Sequence, residues 1–173
     1  MSISLYDISV ASYLQILGGV SGYMARGRAH CEENGIDLAG IVETRLFPDM
    51  LPFRFQVVSV VHHSLGAIKG LEAGVFSPHG GPPDADYGVL EQMVADARTG
   101  LEQYDPDAIN AMAGKDMAFQ MGDRKIPFTA ENFVMSFSLP NFYFHATTAY
   151  DILRMNGTPI GKRDFTGRLR IKT

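Results

Sequence analysis

Residues 51–74 read LPFRFQVVSVVHHSLGAIKGLEAG. The run follows Pro48, Asp49 and Pro52, stays apolar at helical spacing to Glu72, and meets a stop at Gly74. It is the longest helix that the sequence predicts. On a wheel of about 100° per residue, Val58, Val61, Leu65 and Ile68 fall on one face. His62 lies at the edge of that face, near Leu51, Phe55 and Lys69. His63 falls roughly opposite, with Gln56 and Gly70. The spacing therefore aims His62 inward and His63 at solvent.

Working outward, Leu5, Ile8, Tyr13, Ile16 and Leu17 mark an opening helix with Ser4 as a cap. Gly18, Gly19 and Gly22 interrupt it, predicting either a kink or a second helix from Val20 to Glu33, stopped at Asn34-Gly35. Downstream of the central helix, a Gly/Pro-rich loop (Ser77 to Pro83) precedes a helix over Tyr87–Tyr104. Lys115–Gln120 and Lys125–Thr129 flank Met121-Gly122-Asp123-Arg124, which reads as a small β-hairpin. Thr129 starts another helical run, and a last helix spans Pro140–Met155 before Asn156-Gly157. Beyond Pro159 an ordered but irregular tail is expected. Neither a repeat nor a linker divides residues 1–173. The elements predict one mainly α domain, a helical bundle with a hairpin inserted before the last helices.

Composition bounds the function classes. The chain has 173 residues, 46% of them hydrophobic and 20% charged, and a net charge of −4. A phosphate-backbone reader carries a basic excess or stripe. Here the basic residues cluster only at Lys162, Arg163, Arg168, Arg170 and Lys172, a solvated tail, so no nucleic-acid partner is expected. Residues 1–19 lack a basic leader and include Asp7, unlike a secretory signal. No apolar run reaches the ~18 residues of a membrane span. Cys31 is the sole cysteine, which excludes an internal disulfide. A cytoplasmic protein without membrane contact is the expectation.

The sequence contains no Gly-rich phosphate loop, GxSxG, HExxH or CxxC. Cys31 adjoins His30, but neighbours on a helix diverge by about 100°, so Cys31 reads as a small buried hydrophobe. On the last helix His145 shares a face with Phe142, Thr148, Ala149 and Ile152. His62 and His145 thus point to one interior, where bundles build metal or ligand sites. Two histidines fall short of the three protein ligands that a metal needs. Asp7, Asp49 and Glu43 are candidate third ligands, and the spacing selects none of them. The aromatic and hydroxyl residues from Asn141 to Tyr150 suit an apolar pocket with a few polar fixtures, so His62, His145, Thr148 and Tyr143 are the pocket candidates. Asp164 and Lys162 read as braces for the tail.

Three stretches, LPNFYFHATTAYDILRMNGTPIGKRDF (139–165), FRFQVVSVVHHSLGAIKGL (53–71) and Lys115–Thr129, resemble a bacterial family known only as a domain of unknown function and grouped with the DinB/YfiT-like bundles. The resemblance runs from Asp7 to Gly167. It implies an up-down-down-up four-helix bundle, often a homodimer. Many such proteins bind zinc or nickel through one histidine on the second bundle helix and an HxxxH pair on the last, and some are hydrolases or thiol transferases. His62 and His145 match two of those positions. Ala149 stands at the third and cannot ligate. The resemblance thus implies a dimeric bundle with a small-molecule pocket near His62 and His145 and, more in keeping with Ala149, no metal. A metal-dependent hydrolase or thiol transferase and a non-catalytic structural dimer are the alternatives, and catalysis itself stays undecided.

Overall fold

The computed structural model describes residues 3–172. Met1 and Ser2, where the leader reading begins, and Thr173 lie outside the described residues. The chain runs α1 (Leu5–Ile8), α2 (Val10–Asn34), α3 (Leu38–Glu43), α4 (Phe53–Val61), a π turn at His62–Gly66, α5 (Ala67–Ala73), β1 (Val75–Phe76), α6 (Tyr87–Glu102), α7 (Pro106–Asn110), β2 (Asp116–Met121), β3 (Arg124–Thr129), α8 (Ala130–Phe133), a second π turn at Val134–Ser138, α9 (Leu139–Met155) and α10 (Lys162–Thr166).

Four rods make the bundle: α2, α4 continued by α5, α6, and α8 continued by α9. α2 packs on α6 and α9, and α4 packs on the same two. This closes a ring in which α2 and α4 face each other across the diagonal. Tyr13, Tyr23, Phe53, Phe133 and Phe142 are fully buried in its centre. Removing an apolar side chain of this size from water contributes roughly 1.5–3 kcal/mol. The buried phenols are each paired: Tyr13 donates to Ser138 Oγ at 2.8 Å and Tyr23 to the Ala146 carbonyl at 3.0 Å. The pairing offsets the loss of water at a buried hydroxyl.

The first helix does not break at its glycines. α2 is continuous from Val10 to Asn34, and the glycines serve close approach instead. A Cβ on Gly19 would strike the Phe165 backbone carbonyl and lie 2.9 Å from the carbonyl oxygen of Asp164. Helix propensity, about 1 kcal/mol against glycine, is outweighed by the docking of α10 on α2. The tail beyond Pro159, expected to be irregular, contains that short helix. Asp164 braces it through Arg26 at 3.1 Å.

The predicted hairpin forms, with pairing from Asp116↔Thr129 to Met121↔Arg124. β1 adds to its other side in parallel, Val75↔Ala118 and Phe76↔Phe119, to give a three-stranded sheet in the order β1-β2-β3. A two-residue strand carries too little pattern to be read from sequence. Its effect is nonetheless large, because it fixes Phe76 and the loop after it against the end of the central rod.

One wheel face was misassigned. The buried positions of the central rod are Phe53, Gln56, Val57, Val58, Ser59, Val60, His63, Ser64, Ala67, Ile68, Gly70 and Leu71, and most of them follow an i, i+3, i+4, i+7 series through Val60. Val61 and Leu65 are only half-buried. Valines at 57, 58, 60 and 61 make this stretch apolar nearly all round, so valine spacing alone does not select the inward face. His63, expected at solvent, is therefore buried, and His62 is the half-buried one.

Candidate functional site

The two π turns face each other. A π turn widens the helix and leaves carbonyls short of their ordinary i+4 partner. The His63 carbonyl accepts instead from Ser138 Oγ at 2.7 Å, and Ser138 in turn accepts from Tyr13. Three rods are tied at this one hydroxyl, with His63 on one turn and Phe137 and Ser138 on the other.

Beside that tie opens a cleft of about 410 Å³. Its apolar walls come from four elements: Phe55 on α4, Phe76 on β1, Phe119 on β2 and Phe137 on the second π turn. Its polar border consists of Ser59, His62, His63, His79, Asn141 and His145. Among the described residues, no Asp, Glu, Lys or Arg lines it. The His63 and His145 rings lie nearly parallel, 19° apart with centroids separated by 5.9 Å. His62 stacks on Phe76 at 4.2 Å.

Hydrogen bonding sets the ring nitrogens. Gln56 Nε2 donates to the Leu51 carbonyl at 2.7 Å, which turns Oε1 of the same amide toward His145. His145 Nδ1 lies 2.8 Å from that oxygen, so Nδ1 carries the proton and donates it. Nε2 keeps its lone pair. Asn141 Nδ2 donates to the Phe137 carbonyl at 2.7 Å, leaving Oδ1 as its free acceptor. His62 Nε2 donates to the Ser77 carbonyl at 2.8 Å, which ties the Ser77–Pro83 loop to the central rod. His63 differs from the others: it is 8% exposed and its buried Nδ1 has no hydrogen-bond partner among the described residues.

Burial makes these rings poor bases. Desolvation, with smaller contributions from His62 and His145, pushes the pKa of His63 down to about 3. Desolvation pushes His145 down to about 4 and also lowers His62. At neutral pH His62, His63 and His145 are therefore uncharged imidazoles. Chemically, it can accept hydrogen bonds from a bound molecule and bury flat apolar surface.

The sequence candidates separate here. His62 and His145 both border the cleft. Thr148 does not: it is buried in α9 and donates to the Phe144 carbonyl at 2.8 Å. Tyr143 is 38% exposed, packs against Phe142 with ring centroids 5.7 Å apart, and is not a lining residue. Sequence reasoning missed His63, His79 and Phe119, and took Asn141 only as part of the 141–150 stretch. The inward heptad face through Val60 carried a signal for His63, and nothing local marked His79 or Phe119.

The three-ligand metal set that the family resemblance implies does not fit these residues. Ala149, fully buried, occupies the third position, and no group of three or more His, Cys, Asp or Glu among the described residues is arranged to hold a metal ion. The acidic candidates are committed elsewhere. Asp7 caps α1 through Ser4, Glu43 pairs with Arg54 at 3.1 Å, and Asp49 is exposed in the turn before α4. Cys31 is buried, which pushes its thiol pKa up, and the neighbouring His30 ring is engaged by Asn34.

Comparison with known proteins agrees with this architecture. Residues 5–166 match the model of a family described as a domain of unknown function, DUF1993. The crystal structure of a DinB family member protein from Shewanella denitrificans is similar at 26% identity, with a TM-score of 0.78 over 98% of this chain and 95% of that one. None of the curated proteins matches the chain significantly.

Proposed function

The chain belongs to the DUF1993 family, a DinB-like four-helix bundle of unknown function, and on that premise we propose that it binds a small molecule in the cleft between its two π turns. One observation carries this reading. A buried histidine with an unpartnered ring nitrogen sits at the base of an aromatic-walled cleft. Leaving such a group unpaired costs about 1–3 kcal/mol, and a core built for packing alone has no use for it. The paired π turns support the reading, since such turns recur at functional sites. The protein acts as a homodimer in the bacterial cytoplasm, without nucleic-acid or membrane partners. The resemblance to dimeric relatives, the bacterial origin of the similar structure and the buried free cysteine support this. No helix among the described residues is long and apolar enough to cross a membrane.

A metabolite library screened by thermal shift tests the cleft. A ligand at 100 times its Kd adds about 2.7 kcal/mol, roughly 5–10 °C for a chain of this size. Asn141→Trp, which fills the cleft, must abolish the shift. Compounds that stabilise the wild type but not this variant support the reading. A library without such compounds, or equal shifts in both proteins, contradicts it. Sedimentation as a monomer at micromolar concentration would remove the dimer.

A further inference from the structure

Two side chains on the polar border of the cleft, His145 and Asn141, present hydrogen-bond acceptors. His145 Nε2 is a lone pair held in place by the Gln56 relay, and Asn141 Oδ1 is an acceptor because its amide nitrogen is spent on Phe137. We infer that the cleft takes a neutral, flat aromatic molecule that donates an N–H or O–H to His145 Nε2, in the class of phenols, indoles and N–H heteroaromatics. This rests on the pocket reading above and gives it a ligand chemistry.

Three features of the site lead there. Shape comes first: Phe55, Phe76, Phe119 and Phe137 present rings from four separate elements, a lining that favours apolar planar surface. The His63 and His145 rings, at 5.9 Å, stand too close for another ring to slot between them, since stacked rings need about 3.5 Å on each side. The ligand therefore lies against their edges. The second feature is charge. An anion would meet the acceptors of His145 and Asn141 and no lining lysine or arginine among the described residues. A cation would meet no carboxylate, at a place where burial already holds His63 and His145 uncharged. The third is polarity. Free acceptors beside aromatic walls are satisfied by a ligand that brings donors.

The test uses the full chain, free of any tag, and four probes: indole, benzofuran, benzoate and benzylammonium. Affinities come from calorimetry, and the ring resonances of His63 and His145 place the binding. Indole is expected to bind at the cleft. Benzofuran, the same shape without the donor, is expected to bind about ten-fold more weakly, the equivalent of one net hydrogen bond. Both ions are expected to bind more weakly still. His145→Phe keeps a ring and removes the lone pair, so the preference for indole over benzofuran should vanish while benzofuran affinity holds. Should that variant misfold, Gln56→Leu releases the tautomer and should reduce the same preference. Equal binding of indole and benzofuran, tighter binding of either ion, or a preference that survives both variants overturns the donor inference and leaves the pocket reading standing. If none of the four probes moves a cleft histidine resonance, the inference falls, and the pocket reading then stands or falls with the library screen.

Discussion

Replacing His63 by phenylalanine should make the protein more resistant to acid while removing a buried, unpartnered polar group from the cleft lining. The magnitude follows from proton linkage. In the unfolded chain His63 has an ordinary pKa near 6.5, and in the folded chain it is held down to about 3. Below pH 6.5 the unfolded state binds the proton and the folded state does not, so stability falls as pH falls, until the folded pKa is reached. The stability associated with this ring is complete above pH 6.5 and lost between pH 6.5 and about 3. At 1.36 kcal/mol per unit, going from pH 7.5 to pH 5 costs the wild type roughly 2 kcal/mol through His63 alone. The variant lacks that loss. At pH 7.5 it also sheds the unpartnered Nδ1, worth about 1–3 kcal/mol, against an overpacking cost of about 1–3 kcal/mol for the larger ring. The two therefore nearly cancel at neutral pH, and the gain appears in acid. Urea titrations of both proteins at pH 7.5 and pH 5 measure it. If the two lose the same stability between those pH values, His63 is not the buried neutral group described here.

Ser138→Ala removes the acceptor of Tyr13 and the donor to the His63 carbonyl, and should cost about 1–3 kcal/mol by denaturant titration. Adding Tyr13→Phe should then cost little more, because the stranded hydroxyl goes with it. Gly81→Ala combines a left-handed residue, φ 66°, with a Cβ placed 2.6 Å from Val58 Cγ1. It should destabilise by about 1–3 kcal/mol and speed proteolysis of the Ser77–Pro83 loop. Zinc or nickel added to tag-free protein and then dialysed should remain well below one equivalent per chain by elemental analysis, since Ala149 leaves the histidine set incomplete. One retained equivalent, lost in His62→Ala and His145→Ala, would restore the metal reading.

Much of the bundle was legible because its signals are local. The hairpin turn at Gly122-Asp123, the Thr129 cap and the stops at Gly35 and Gly74 each act within a few residues, and each falls where the sequence predicts. The glycines of α2 misled for a tertiary reason: contact with α10 outweighs their weak helix propensity. The site was half legible. His62 and His145, singled out from their helix faces, both border the cleft, although the face drawn through His62 is not the inward one. His63 was sent to the wrong side because four valines in five positions blur the wheel, and the π turns that shape the cleft leave no recognised mark in sequence. Phe119 and His79 arrive through the pairing of β1 with β2 and through a Gly/Pro loop, long-range placements that no periodicity encodes.

The central claim is that His63 and His145 border the cleft as uncharged imidazoles, with His145 offering a lone pair at Nε2. Nitrogen-15 correlation spectra of the histidine rings test it most directly. The account predicts neutral His63 and His145 from pH 7 down to pH 5, with the His145 proton on Nδ1. An imidazolium signal from either ring in that range, or a His145 proton on Nε2, would contradict it.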